Sequence, residues 1–153
     1  MSNKVKILSI EKITHDVLRI KADKPNDLTY KTGQAVDISL NIEGWQKEIR
    51  TFTFTSIPDD NFIEFTIKTY PSHNAVTNQM LSLKANDEIF LYDVYGDIQY
   101  KGEGIFIAGG AGITPFISIF KQLEKDNKIS NNKLLFANKT KADIIDEQKF
   151  KIY

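Results

Sequence analysis

From Lys4 to about Lys101 apolar and polar residues mostly alternate, and β-branched and aromatic side chains are abundant. A period of two marks half-buried antiparallel strands, because successive side chains point to opposite faces. Strands are predicted near Val5–Thr14, Val17–Ala22, Ala35–Ile42, Glu48–Ser56, Phe62–Thr69 and Glu88–Tyr92. Turn signals separate them at Asn26-Asp27, Gly33, Gly44 and Pro58-Asp59-Asp60-Asn61. One helical interruption is predicted from Asn74 to Leu83, where Val76, Met80, Leu81 and Leu83 fall near helical spacing. Six strands with short connections predict a six-stranded antiparallel β-barrel over residues 1–102, since closure removes exposed sheet edges.

After Gly104 the pattern changes. Ile105-Phe106-Ile107-Ala108 is a continuous apolar run, followed by Gly109-Gly110-Ala111-Gly112 and an amphipathic stretch carrying Phe116, Ile117, Ile119, Phe120 and Leu123. Leu134-Leu135-Phe136-Ala137 reads as a second buried strand, and Ala142 to Lys151 as the start of a second helix. This order, β–turn–α–β–α, opens a parallel α/β nucleotide-binding domain over residues 103–153. Two parallel strands cannot bury both faces of a sheet, so this α/β domain is expected to be incomplete. The chain is expected to be a fragment of a longer protein, short by roughly half of a domain of about 100 residues or more.

Charge and composition narrow the chemistry. Twenty basic residues balance twenty acidic ones in 153, which argues against nucleic acid or an anionic membrane as partner. There is no cysteine, so these residues hold no thiol nucleophile, disulfide or cysteine-bound iron–sulfur cluster. The start leads straight into strand-like sequence, giving a cytoplasmic expectation. His15 and His73 lack metal-ligand spacing and read as surface residues, so no metal site is expected. Trp45 beside Gly44 reads as a hairpin-tip aromatic or a partner contact.

Arg50-Thr51-Phe52-Thr53-Phe54-Thr55-Ser56 is the most informative segment. Strand alternation places Arg50, Phe52 and Phe54 on one face, with Arg50 and Phe52 about 7 Å apart from two rises of about 3.3 Å. A guanidinium offers a planar fork of donors to a pyrophosphate, and an aromatic ring stacks on a flat isoalloxazine. Thr53 adds a hydroxyl beside that ring. The same pattern also describes an amphipathic barrel strand with a surface arginine. A helix entering at Asn74-Ala75-Val76-Thr77 offers free N–H groups to a phosphate, or simply caps one barrel end. Gly110-x-Gly112 between strand and helix lets backbone approach a phosphate, with Thr114 expected as N-cap and Pro115 at the first helical position. The strand end Asn138-Lys139-Thr140 carries no acidic ribose acceptor, and Lys139 gives a slight signal for a 2′-phosphate.

Together these residues resemble the ferredoxin–NADP reductase family, in order from about residue 4 to 148. Arg50-Thr51-Phe52-Thr53 resembles its Arg-x-Tyr-Ser/Thr flavin motif, and Asn74-Ala75-Val76-Thr77 its Gly-x-x-Ser phosphate helix. Gly33-Gln34, Ile67-Lys68-Thr69, Tyr95-Gly96-Asp97 and Gly109-Gly110-Ala111-Gly112-Ile113-Thr114-Pro115 resemble further family segments. Phe52 replaces the usual tyrosine, Ala75 a glycine, and Asp93-Val94 stands where Gly-Pro is usual.

The resemblance implies an FAD-dependent oxidoreductase that takes hydride from NAD(P)H and passes electrons to a separate acceptor: ferredoxin, flavodoxin or an oxygenase component. It implies that Arg50 pairs with the pyrophosphate, Phe52 stacks on the isoalloxazine, and Thr53 lies near flavin N5, with Thr51 in the same motif. Asn74, Ala75, Val76 and Thr77 would serve the phosphates, and Ile67, Lys68 and Thr69 would line the cofactor. Gly110 and Gly112 would admit the pyridine nucleotide, and Thr114 would lie near both rings, making Thr53 and Thr114 the catalytic candidates. Two other readings stay open: a non-catalytic flavin-binding or interaction module, and a plain partner-binding barrel.

Overall fold

A computed structural model describes residues 2–152 of the chain. Six strands, β1 (Asn3–Thr14), β2 (Val17–Asp23), β3 (Ala35–Leu40), β4 (Arg50–Thr53), β5 (Phe62–Lys68) and β6 (Glu88–Tyr95), form one antiparallel sheet in the order β4-β3-β6-β1-β2-β5. Alternation along these strands points one side chain in two at a shared interior, where Ile7, Ile20, Ile38, Leu40, Ile63 and Leu91 are almost fully buried.

The sheet curls until its two edges meet. Phe54, one residue past β4, still donates its N–H to the Gln34 carbonyl at 3.1 Å and also forms an antiparallel bridge with Phe65 of β5. Its neighbour Thr55 donates its N–H to the Glu64 carbonyl at 2.8 Å. Phe54 and Phe65 are both buried with ring centroids 5.3 Å apart, and Tyr30 stacks on Phe54 at 3.9 Å. From Thr55 onward the backbone pairs with β5, and the predicted strand Glu48–Ser56 is observed only as Arg50–Thr53. At β6 the reverse holds. Asp93, Val94 and Tyr95 extend the predicted strand, with Val94 opposite Val36 and Tyr95 opposite Ala35. Trp45 is half-buried and packs on the barrel core, so this ring at the hairpin is a core flank.

The helical interruption is shorter than its spacing predicts. A single α-turn, α1 (Val76–Gln79), passes into a 3-10 turn at Met80–Ser82. No side chain caps α1, whereas Val76, Met80 and Leu83 are buried against the core. Tertiary burial therefore holds the segment, and its intrinsic helicity does not.

The second unit contains two parallel strands, β7 (Ile105–Gly109) and β8 (Lys133–Ala137), joined by a 3-10 turn at Gly110–Ile113 and helix α2 (Thr114–Lys125). Phe106 meets Phe116 and Phe120 edge-on, with centroids 5.1 and 4.9 Å apart, fastening α2 to one face of the sheet. The predicted second helix from Ala142 to Lys151 divides. Lys141–Asp143 is a 3-10 turn closed by a capping box with Thr140, and α3 (Glu147–Ile152) follows. Asp146, with φ 54°, breaks the run between them. Ile105, Ile107 and Leu135, 64%, 72% and 58% exposed, form the opposite sheet face.

The two units pack at Gly33. Its φ is +96°, its N–H donates to the buried Ser118 hydroxyl of α2 at 3.0 Å, and a Cβ here would lie 2.2 Å from the Ile98 carbonyl oxygen. Only glycine satisfies both constraints. Gly33→Ala is expected to lower stability by at least about 2 kcal/mol, from backbone strain and overpacking together. Urea unfolding of the variant beside the parent checks this, and an unchanged midpoint would refute it.

Candidate functional site

Two depressions lie side by side where the units meet. The smaller is a groove of about 240 Å³ lined by Thr51, Phe52 and Thr53 of β4, Thr66, Ile67 and Lys68 of β5, then Tyr70, Thr77, Ala111 and Thr114. It exists because β4 and β5 converge where the barrel closes. Phe52 is half-buried, its inner side against the barrel core. Thr51 turns outward and hydrogen-bonds Asp37 at 2.5 Å and the Tyr95 hydroxyl at 2.6 Å. The hydroxyls of Thr53, Thr77 and Thr114 make no hydrogen bond among the described residues, although all three line this one groove.

The larger cleft, about 520 Å³, is lined by the turn Gly109–Gly112, the end of β8 at Ala137–Lys139, and Asp143 and Ile145. Asp16, Val17, Lys68 and Tyr70 close it from the barrel side, and Lys68, Tyr70 and Ala111 line both depressions. Gly110 has φ +51°, and a Cβ at Gly109, Gly110 or Gly112 would meet nothing within 4 Å, so the space over this turn lies open to a ligand. Asn138 supplies an independent sign. Its amide nitrogen and oxygen are both shielded from solvent and unpartnered, in the cleft wall. Buried amides are normally satisfied, so an orphan here fits a polar ligand.

The expected Thr114 cap is not formed. The Gly110–Ile113 turn already winds as 3-10, so Ile113 occupies the cap position and the Thr114 hydroxyl is left facing the groove. Helix α1 is too short for a useful macrodipole. What α1 offers is its first N–H groups and the Thr77 hydroxyl, whereas Val76 is 1% exposed and its side chain belongs to the core.

Comparison with known proteins identifies the pattern. Residues 4–100 match the oxidoreductase FAD-binding domain model, and residues 106–153 match the oxidoreductase NAD-binding domain model. The chain belongs to the FAD-binding oxidoreductase family. Its relatives include the propane 2-monooxygenase reductase component of Mycolicibacterium goodii, 28% identical over 148 residues covering 92% of this chain and 42% of the relative. NADH-cytochrome b5 reductase 1 of Aspergillus terreus is 30% identical over 149 residues, 87% of this chain and 50% of the relative. The chain thus spans about half the length of the curated relatives it matches. The fold superimposes on a ferredoxin NADP+ reductase from Neisseria gonorrhoeae solved with FAD and NADP, with TM-score 0.86, 18% identity and coverage of 99% of this chain and 63% of that one. It also matches the CS-b5R domains of human Ncb5or in the NAD+ form, with TM-score 0.84, 26% identity and coverage of 99% and 48%.

For an FAD- and NAD-binding oxidoreductase the residues present fit both groups. Phe52 and three free hydroxyls suit a flavin ring, and the open glycine turn with the orphaned Asn138 amide suits a dinucleotide. Of the residues singled out from sequence, Thr51, Phe52, Thr53, Ile67, Lys68, Thr77 and Thr114 line the groove, and Lys68, Gly110 and Gly112 the cleft. Arg50, Thr69, Asn74, Ala75 and Val76 line neither. The exposed Arg50 guanidinium folds back to the Ile49 carbonyl at 2.7 Å and sits 3.9 Å from Glu48. Thr69 is buried and donates its hydroxyl to the Asp16 carbonyl at 2.9 Å, anchoring the end of β5.

Asp16, Tyr70 and Asp143 were not anticipated. The Thr140-x-x-Asp143 capping box carries a sequence signal, since it directs a carboxylate back to the end of β8. Asp143 accepts hydrogen bonds from the Thr140 hydroxyl and N–H at 2.8 and 3.0 Å, and its other oxygen lies 2.6 Å from His15 Nε2. His15 is exposed, as expected, yet it bridges the two units. The helices include none long and apolar enough to cross a membrane, among the described residues.

Hydrogen bonds from His15, then Thr140, hold the Asp143 carboxyl down to about 2. A depressed acid stabilises the fold above its unfolded value near 3.8, and that contribution is lost as pH falls through about 2. The gap in thermal midpoint between the parent and Asp143→Asn is therefore expected to be constant between about pH 4 and 5 and to close between about pH 4 and 2. Melts across that range check it; a gap that widens on acidification is the contrary result.

Proposed function

We propose that this chain is the flavin-binding part of an NADH-dependent reductase, with a barrel unit at residues 1–102 and a nucleotide-binding unit from residue 103. One observation carries the reading. An aromatic-walled groove with three hydroxyls that have no protein partner among the described residues opens directly beside a glycine-turn cleft, and Lys68, Tyr70 and Ala111 belong to both. Bound flavin supplies the exchange of a two-electron hydride for single electrons.

In this reading Phe52 stacks against the ring, and Thr53 offers a hydrogen bond at the edge that receives hydride. The Thr77 hydroxyl and the N–H groups of α1 meet phosphate oxygens. Arg50 swings from the Ile49 carbonyl to the pyrophosphate, an exchange its long exposed side chain permits. Across the junction Thr114 orients the nicotinamide, and the backbone at Gly110 and Gly112 accommodates the dinucleotide phosphates.

The donor is assigned as NADH. Asp143, kept ionised in the cleft, repels a 2′-phosphate and suits a ribose hydroxyl, outweighing the exposed Lys139. The names of the b5 reductase relatives support the same donor. The acceptor is read as a separate one-electron protein, such as an oxygenase component or a cytochrome b5, on the names of the relatives. Ferredoxin and flavodoxin remain in the same class.

The natural protein should show a flavin absorption spectrum that NADH bleaches faster than NADPH. Arg50→Ala should weaken FAD binding roughly 10- to 100-fold, from about 1.5–3 kcal/mol for hydrogen bonds to a charged group. Thr114→Val should slow bleaching by NADH while leaving reduction by dithionite unchanged. A protein that takes up no FAD in titration sinks the proposal, and FAD uptake without NADH bleaching reduces it to a binding module.

A further inference from the structure

Helix α2 carries four polar side chains that meet the barrel unit: Thr114, Ser118, Lys121 and Lys125. They recur at i, i+4, i+7 and i+11, so they form one stripe, about 16.5 Å long at 1.5 Å per residue. Each meets a different part of the barrel unit. Thr114 lines the groove, Ser118 accepts the Gly33 N–H at 3.0 Å, Lys121 reaches the strand segment that follows Thr53, and the exposed Lys125 donates to Asp59 at 2.7 Å, a surface pair of little weight.

The Lys121 contact is closely defined. Its ammonium donates to the Thr55 carbonyl at 2.7 Å and to Glu64 Oε1 at 2.9 Å. The same Glu64 oxygen accepts the Thr55 hydroxyl at 2.8 Å, and Arg19 Nε lies 3.6 Å away. Arg19 in turn donates to both Asp146 oxygens, at 2.8 and 2.6 Å. The Glu64 and Lys121 side chains are only 5% and 19% exposed. A buried ion pair of this kind is a poor source of stability, because desolvation offsets its attraction, and apolar replacements are often neutral. Its distinctive property is geometric. Apolar faces tolerate sliding, whereas an ammonium shared by two fixed acceptors holds one register.

We propose that Lys121, with Glu64 as its acceptor, is a positioning residue for hydride transfer. It sets the axial register of α2 against β4, and with it the placement of Thr114 and the glycine turn relative to Phe52 and Thr53. Thr55 lies two residues beyond Thr53, so the clamp grips the same strand segment that walls the groove. Hydride transfer depends steeply on approach geometry, and displacement of about 1 Å can cost about 100-fold. This inference rests on the reductase reading above.

The test uses the natural full-length protein and two variants. Glu64→Leu with Lys121→Met removes both charges, so no carboxylate is left buried alone, and Lys121→Arg retains a cation able to reach both acceptors. In the double variant FAD content and the concentration of NADH giving half-maximal rate should stay within about threefold of the parent. Flavin bleaching at saturating NADH should slow at least tenfold, and Lys121→Arg should recover most of the loss. In the apo protein, hydrogen exchange at the Gly33 amide should accelerate about tenfold in the double variant, reporting a loosened α2 without any turnover. Parental bleaching in the double variant, or an unchanged Gly33 amide, overturns the inference. A parent that neither holds FAD nor responds to NADH instead defeats the reductase reading, and the Gly33 measurement still decides whether the clamp sets the register.

Discussion

The site depends on Phe54, which joins the two edges of the sheet. Paired with β3 alone, the β4 strand would turn its Thr-bearing side to open solvent at a sheet edge. Because Phe54 bridges Phe65 while still hydrogen-bonded to Gln34, residues 51–53 come beside residues 66–68 and form a groove with two walls. The driving force is apolar. Phe54 and Phe65 are buried, Tyr30 stacks beneath, and truncating an aromatic side chain in such a setting typically costs about 3–5 kcal/mol. The groove is thus the polar outer surface of a hydrophobic closure, so barrel stability and groove geometry are one constraint.

The contact between units works differently. It combines the apolar packing of Ile113 and Ile117 near Val17 with point contacts at Gly33, Glu64, Arg19 and Asp143. Burial brings the surfaces together without choosing a register; the hydrogen-bonded points choose it. The two kinds of contact are complementary, and they explain why a helix as apolar as α2 keeps a serine fully buried at its centre.

Much of this was legible in the sequence, for reasons that differ by element. The barrel strands were readable because period-two alternation directly reflects burial on one face. The Gly109–Gly112 turn was readable because a glycine run between an apolar strand and an amphipathic helix marks a tight strand-to-helix connection with its backbone left bare. Phe52, Thr53 and Thr114 were identified from motif and spacing, and the structure places all three in one groove. Asp16, Tyr70 and Asp143 were not, because each reaches the cleft through tertiary folding. Asp16 arrives on the β1–β2 turn, and Tyr70 beyond the end of its strand. Asp143 arrives by a capping box that returns it towards β8. The length of α1 was overread because Val76, Met80 and Leu83 satisfy helical spacing whether the backbone winds as α or 3-10.

That last difference changes how phosphate would be held. A long helix offers a dipole that attracts an anion from any nearby position, with little demand on placement. A single turn offers only its first N–H groups and the Thr77 hydroxyl, which act at hydrogen-bond range and in fixed directions. In the proposed reading, recognition at this end is therefore directional, and the long-range attraction falls to Arg50. In the structure that guanidinium is satisfied by the Ile49 carbonyl and close to Glu48. Capturing a pyrophosphate must break the first contact and compete with the second. The strand thus keeps its cation in solvent at one end and its ring packed at the other, so the ring site is formed in advance while the phosphate site closes around its ligand.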